Sequence, residues 1–357
     1  MKVILDQKEL VSVIGKIEKV VNRKSKNPIL SCVKLTATNS KITITANNLE
    51  SAVVYNLNCG ETIEKGDVLI SADDFKLLSK MKEDTITITE HDNKVVIGGN
   101  RTFEYCGIDP SSFPEFHSTY DCDAFTINSQ EFKNKFKIKE FCSKEDSRRS
   151  FQGVCIHQDK MWALDSYYGA EYALKIDNHA TVDIIIPRKA FDELEKVIGK
   201  DSETLTVKYH MTKEAGHLSV CGSDWCYMTR LIIDTFCNLT QMFPQDTESE
   251  VTVNTDNMRD TLDFAKTAGA TGSKHAVCIE TQNNKLHISC TTLTKHIADV
   301  IDVEVSGQDI TAVYFDVDRM QQCIKYVKDN AVTLKCKNGL IAFDNENEKY
   351  LLATVRK

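Results

Sequence analysis

One pattern occurs three times in this chain and limits its fold more than any other feature. A β-branched run is followed by a single Asp or Asn, and then by apolar residues at helical spacing. The copies are Met1-Lys-Val-Ile-Leu-Asp6 running into Leu10, Val13 and Ile14; Phe125-Thr-Ile-Asn128 running into Phe132 and Phe136; and Val251-Thr-Val-Asn254 running into Met258 and Leu262. The Asp/Asn markers lie 122 and 126 residues apart. A second series at Phe75, Phe191 and Met320 is spaced by 116 and 129 residues. Solenoid repeats have periods of about 20–50 residues, so this period describes whole domains. The spacing predicts an α+β protein of three similar domains, 1–118, 119–245 and 246–357, each with two helices on antiparallel sheets.

Each copy reads the same way locally. Asp6 is a helix cap with Glu9 three residues on, and Asn128 has Glu131 in that place. An Asp or Asn oxygen there accepts from the free N–H groups of the first turn. Leu10, Val13, Ile14, Ile17 and Val21 share one helical face. After Pro28, 29–37, 41–46 and 52–57 alternate as a three-stranded meander. A second helix follows Ser71, and strands return at 85–89, 94–97 and 101–106. The Pro- and Ser-rich stretch 109–116 is a linker. Domain 2 repeats the plan, with strands at 151–157, 160–165 and 171–176 and a helix whose first turn holds Pro187. Domain 3 repeats it again, with its second helix beginning at Asp316.

Thirteen Cys are scattered among apolar runs without any Cys-x-x-Cys, which predicts reduced, buried thiols in a cytoplasmic protein. The N-terminus enters the strand pattern directly, and no apolar run is long enough to span a membrane. Net charge is −8, yet its distribution is uneven. Residues 8–26 hold six basic and two acidic groups, and 131–149 hold seven and four. The stretches 72–82, 187–200 and 316–328 are each +1, and 256–275 is neutral. The helices therefore total +10 and the remainder −18. A basic helical surface on an acidic body holds phosphates without reading base sequence.

Catalytic motifs are missing from the sequence. There is no Gly-x-x-x-x-Gly-Lys-Ser/Thr, and Ile97-Gly98-Gly99-Asn100 reads as a turn. His210, His217, Cys221 and Cys226 lack metal-ligand spacing. Asp165-Ser166-Tyr167 near His157 lacks a nucleophile elbow and reads as a strand end. No cofactor is expected.

Several short stretches, in order, resemble one family: the bacterial DNA polymerase III β subunit, the sliding clamp. They are Asn27-Pro28-Ile29-Leu30, Asn48-Leu49-Glu50, Phe113-Pro114-Glu115 and Ile185-Ile186-Pro187-Arg188-Lys189. The resemblance covers essentially the whole chain. It implies the DNA clamp fold, closed as a head-to-tail homodimeric ring with helices lining the hole. It further implies sequence-independent binding of double-stranded DNA, a DNA polymerase III alpha subunit or other cognate polymerase as partner, and a clamp loader.

The resemblance places DNA contacts at Lys24, Arg148 and Arg149, beside Arg23 and Lys26 at the same helix end; Lys133, Lys137, Lys196 and Lys200 are added from helix position. It implies an apolar partner-peptide pocket between domains 2 and 3. One wall would hold Phe151, Leu164, Ser166, Tyr167 and Pro244, and the other Leu340, Leu352, Ala353, Thr354, Val355 and Arg356. Two stretches depart from the family pattern. The usual Met-Pro-Met-Arg-Leu tail is Ala353-Thr354-Val355-Arg356-Lys357, and the usual Thr-Asp-x-His-Arg-Leu-Ala is Leu164-Asp165-Ser166-Tyr167-Tyr168-Gly169-Ala170, with Glu171 following. For ring closure the resemblance gives Arg101, Phe103 and Tyr105 opposite Gly269 and Ala270. Two readings from other classes are an enzyme of unknown reaction on a duplicated α+β scaffold, and an interaction scaffold without DNA.

Overall fold

A computed structural model describes all residues except 40, 59, 60, 93, 117–121, 146, 147, 245, 248, 346 and 357, and the side chain of 61. The described chain forms two compact units, Met1–Phe136 with Lys175–Ile233, and Lys137–Leu174 with Asp234–Lys357. Its helices are α1 (Gln7–Ile17), α2 (Ala72–Leu77), α3 (Ser129–Asn134), α4 (Arg188–Val197), α5 (Thr255–Thr267) and α6 (Val317–Ile324).

The expected caps are in place. Asp6 accepts from the Glu9 amide at 2.9 Å, Asn128 from Gln130 at 3.0 Å and Glu131 at 3.2 Å, and Asn254 from Asp256 and Asn257 at 3.0 Å each. Asp316 and Ser71 cap α6 and α2 the same way. Each such bond satisfies a donor that the helix cannot, and is worth about 1 kcal/mol. Pro187 sits one position earlier than expected, as the cap residue of α4 and the last residue of the strand Ala180–Pro187. Helix α3 is short and continues as a 3-10 turn over Phe136–Phe141, which keeps Phe132, Phe136 and Phe141 inward.

In the first unit a five-stranded sheet runs Glu61–Glu64, Lys2–Asp6, Thr85–His91, Lys94–Gly98, Thr102–Cys106. An eight-stranded antiparallel sheet runs Asp123–Asn128, Thr204–Met211, Gly216–Cys221, Trp225–Arg230, Ser51–Asn58, Lys41–Asn47, Cys32–Ala37, Gly66–Ser71. Its middle joint pairs Trp225 with Tyr55 and Thr229 with Ser51. Helix α1 packs on α4. The α4 carboxylate Glu193, 2% exposed, accepts from Ser51 Oγ at 2.5 Å and Tyr227 OH at 2.7 Å, and faces Lys189 Nζ at 3.3 Å. A buried carboxylate is tolerated because such partners replace its water.

In the second unit the strands run Gly153–Gln158, Lys160–Leu164, Tyr168–Ala173, Glu348–Ala353, Leu340–Asp344, Ala331–Lys337, Ser249–Asn254, His296–Gly307, Lys285–Thr291, Val277–Gln282, Val313–Phe315. The strand expected at 171–176 begins earlier, at Tyr168. The turn before it is tight, with Ser166 at φ 77 and the Asp165 carboxylate accepting from the Tyr167 and Tyr168 amides. Gly169 is required there, since a Cβ would lie 2.8 Å from the Ala163 carbonyl oxygen. Pro28–Ser31 is a 3-10 turn rather than strand, and Glu61–Glu64 and Val313–Phe315 are additional strands.

One cysteine expectation is corrected. Cys221 and Cys226 face each other across a hairpin and form a disulfide. The sequence distance of five residues hid a directly opposed cross-strand pair. Cys32, Cys142, Cys155, Cys278, Cys290, Cys323 and Cys336 are buried, as expected.

Candidate nucleic-acid and partner-binding sites

The expected basic residues divide by what holds their charge. In the first unit Lys24 and Lys26 stand exposed after α1, and Lys196 and Lys200 stand exposed at the end of α4. The two helix ends are tied together: Tyr55 OH donates to Val197 O at 3.1 Å, and Lys16 Nζ lies 5.1 Å above the Tyr55 ring. Arg23 is engaged with Glu18 at 3.1 Å and Asp73 at 3.7 Å. Lys133 is not an open contact. Its ammonium donates to Ile198 O at 2.9 Å and Gly199 O at 3.5 Å, where a cation satisfies the last carbonyls of α4.

In the second unit Arg148 and Arg149 are exposed beside the 3-10 turn Arg149–Gln152. Arg148 lies over Phe151 at 5.3 Å, and the Ser150 amide donates to Asp234 at 3.0 Å. Lys137 departs from the expectation. Its side chain is 18% exposed, it pairs with Glu348 at 2.9 Å, and it lies over the rings of Tyr172 and Tyr326. A helical pattern reveals which face a lysine is on, not whether a carboxylate 211 residues away will reach it. Between α5 and α6 is a cleft of 370 Å³ in which Lys266 pairs with Asp318 at 2.6 Å, while Arg259 at its edge pairs with Asp256 at 3.0 Å.

The expected partner pocket lies wholly within the second unit, and strand register gathers most of it. Tyr168 pairs with Leu352, and Leu340 with Ala353. The Thr354 amide donates to Gly339 O at 2.8 Å, and the Val355 amide to Tyr314 O at 2.7 Å. Phe151, Leu164 and Leu352 are 3%, 4% and 0% exposed, so they are packed inside the unit and are not an open wall. Leu340, Ala353, Thr354, Val355 and Pro244 are half-buried, and Ser166, Tyr167 and Arg356 are exposed.

Sequence reasoning missed Arg319. Its guanidinium lies 3.8 Å from the Tyr167 ring centroid, a cation–π contact at the rim. Arg319 is a surface residue of α6 by pattern, and only the fold brings it to Tyr167. Asp165 beneath this rim is half-buried. Burial pushes its carboxyl up to about 6, against the Tyr167 and Tyr168 amides and Arg319, which lower it.

The strand Thr102–Cys106 is an edge of the five-stranded sheet. Phe103 is half-buried, Arg101 is exposed, and Tyr105 OH turns inward to Leu69 O at 3.0 Å. The opposing expectation is corrected at Ala270, while Gly269 is exposed. Gly269, at φ 110, ends α5, and the Ala270 amide donates to Ala265 O at 3.0 Å. Ala270 is 0% exposed and has no surface to offer a second copy. Exposed apolar surface nearby belongs to Phe264 at 56% and Val300 at 46%. Thr261 Oγ1 donates to Asp299 at 2.6 Å, tying α5 to the strand that carries Val300. The 296–302 half of that strand pairs with Lys285–Thr291, and among the described residues no strand covers its other side.

The fold matches solved clamp structures along its whole length. The beta subunit from DNA polymerase of Streptococcus pyogenes superposes with a TM-score of 0.90 at 19% identity, covering 100% of both chains. A DnaN sliding clamp from Pseudomonas aeruginosa bound to griselimycin gives 0.89 at 17% identity, again covering 100% of both. The architecture is therefore that of the DNA clamps. Residues 1–117 match the family described as DNA polymerase III beta subunit, N-terminal domain. The Beta sliding clamp of Bacillus subtilis (strain 168) is 21% identical over 379 residues, spanning 99% of this chain and 96% of that one. The N-terminal third thus matches that family's model, and over nearly its whole length the chain is similar to bacterial beta sliding clamps. Among the described residues, no helix is long and apolar enough to cross a membrane, and no group of three or more His, Cys, Asp or Glu is arranged to hold a metal.

Proposed function

We propose that this chain is a DNA polymerase processivity factor, a sliding clamp that encircles duplex DNA in the cytoplasm and tethers a replicative polymerase. The observation that carries the reading is agreement with clamp structures over the full chain, on a sequence whose caps repeat three times. The three domains are 1–118, 119–245 and 246–357. The chain acts as an accessory subunit and performs no catalytic step itself. Its partners are double-stranded DNA, a DNA polymerase III alpha subunit or other cognate polymerase, and a clamp loader.

Two copies close head to tail. The edge strand Thr102–Cys106 of one copy, with Arg101 and Phe103, meets the uncovered half of His296–Gly307 in the other, beside Phe264 and Val300. Backbone pairing across two open edges supplies the seam, and the exposed apolar side chains supply its core. Inside the ring, Lys24, Lys26, Arg148, Arg149, Lys196 and Lys200 meet phosphates, while Arg23, Lys133 and Lys137 contribute less because their charges are already engaged. Topology, not affinity, keeps the ring on DNA.

The test is loading onto nicked circular DNA followed by linearisation. Loss of the protein from linear ends is expected; retention after linearisation refutes encirclement. A strictly monomeric protein in light scattering at micromolar concentration counts equally against the ring.

A further inference from the structure

Glu171 directly follows the stretch 164–170 that departs from the family pattern, and the structure gives it a position that the sequence did not suggest. It lies on the strand Tyr168–Ala173, opposite Trp162 on one side and Lys349 on the other. Although 4% exposed, it is fully engaged. Oε2 accepts from Trp162 Nε1 at 2.9 Å and from Thr240 Oγ1 in a short bond. Oε1 faces Lys160 Nζ at 3.3 Å and Lys349 Nζ at 3.7 Å.

Thr240 opens the 3-10 turn Thr240–Met242, which leads directly into Phe243 and Pro244. Lys160 Nζ also donates to Thr240 Oγ1 at 3.4 Å. Lys349 lies 5.8 Å over the Phe243 ring. Phe236, at the start of the same segment, packs 5.5 Å from Phe151 and 6.4 Å from Trp162. The 236–244 segment thus has aromatic packing at one end and is pinned at the other by one carboxylate. An unpaired buried carboxylate is costly, so this set forms as a unit. Burial alone raises the Glu171 carboxyl, but the Thr240 and Trp162 hydrogen bonds and the Lys160 charge outweigh it and hold it below the usual carboxylate range.

We propose that Glu171 is a positioning residue for partner binding: it fixes the Thr240–Pro244 turn and so sets Pro244 in the pocket wall, over the buried Phe243. This rests on reading the surrounding surface as the partner pocket. Glu171 itself touches no partner. It acts through Thr240, and through Lys349 against Phe243.

The experiment uses the full chain with Glu171→Ala, Glu171→Gln and Thr240→Val. Hydrogen exchange is followed at 240–244 and, as an internal reference, at 331–337. Griselimycin is titrated by calorimetry, and melting temperature is measured in parallel. In Glu171→Ala and Thr240→Val, exchange at 240–244 rises at least tenfold with the reference unchanged, and griselimycin affinity falls at least tenfold. Glu171→Gln keeps an acceptor for Trp162 and Thr240 and recovers most of both. Thr240→Val leaves the carboxylate and its lysines in place, so it decides the matter if Glu171→Ala does not fold. A lowered melting temperature with unchanged exchange at 240–244 overturns the proposal, as does unchanged griselimycin affinity. If the unsubstituted protein does not bind griselimycin, the pocket reading is the part that fails, and the exchange arm alone then decides whether Glu171 fixes the turn.

Discussion

The amide of Ala353 donates to the carbonyl of Tyr167 at 2.7 Å. This bond joins the chain's final strand to the turn that presents Tyr167, 52% exposed, under the Arg319 guanidinium. The part of the expected partner pocket where this sequence departs from the family pattern is therefore built on backbone pairing, which tolerates changes of side chain. The altered tail Ala353-Thr354-Val355-Arg356 keeps its register although its residues differ from the family's usual ones.

In the proposed partner pocket the half-buried residues, not the fully buried ones, are where partner binding can be removed cleanly. Val355→Asp combined with Leu340→Asp is expected to lower affinity for the cognate polymerase at least tenfold while the melting temperature changes little. Leu352→Ala behaves differently. Leu352 is completely buried, so the change costs about 2–5 kcal/mol of stability. Chemical denaturation beside a binding titration separates the two outcomes.

Lys24→Glu with Arg149→Glu weakens DNA retention, because both charges are exposed. Each lost phosphate contact should flatten the dependence of log affinity on log salt by about 0.9. Lys137→Ala, by contrast, removes the ammonium paired with Glu348, which keeps its bond from Tyr350 OH, and shows mainly as lost stability. Salt-dependent DNA binding and thermal unfolding on the same samples test the contrast.

Asp165 makes stability depend on pH in an unusual direction. Its folded carboxyl is raised to about 6, above the ordinary carboxylate value, so the folded state favours the protonated form. That contribution is full below about pH 4 and is lost as pH rises through about 6. Asp165→Asn keeps the oxygen that accepts from Tyr167 and Tyr168. Denaturation midpoints between pH 4 and 7 should fall less steeply in this variant than in the parent.

Ring closure should respond to Phe264 and Val300 and not to added bulk at Ala270. Phe264→Asp with Val300→Asp is expected to shift the protein to monomer in light scattering. Ala270→Leu, meant to enlarge an interface, would overpack a filled site and cost about 1–3 kcal/mol without tightening the dimer. A tighter dimer from Ala270→Leu would refute this assignment.

The sequence revealed what local chain geometry decides. Asp6, Asn128, Asn254 and Asp316 announce helix starts because a cap needs only the next three residues. The strands of the meanders alternate visibly because one face of each is buried. The residues expected at the partner pocket were named from the tail register, but which of them are buried and which exposed was not legible there. Which lysines are free was hidden, because Lys133 is held by carbonyls 65 and 66 residues away and Lys137 by a carboxylate across the unit. Arg319 and Glu171 were hidden for the same reason: their partners are set by packing and not by spacing. Ala270 misled because a small residue after a helix reads equally as surface or as the buried end of a cap.

The pairing of Trp225–Thr229 with Ser51–Tyr55, and of Tyr168–Tyr172 with Glu348–Leu352, has a consequence for anyone who would exchange parts between clamps. These joints are backbone ladders inside continuous sheets. A transplant cut at the repeat boundaries would sever a ladder on either side of the middle third and leave raw strand edges open to aggregation. Grafts should carry both strands of a joint together, so the natural cassette for a chimera is a joint with its flanking strands and not a single repeat.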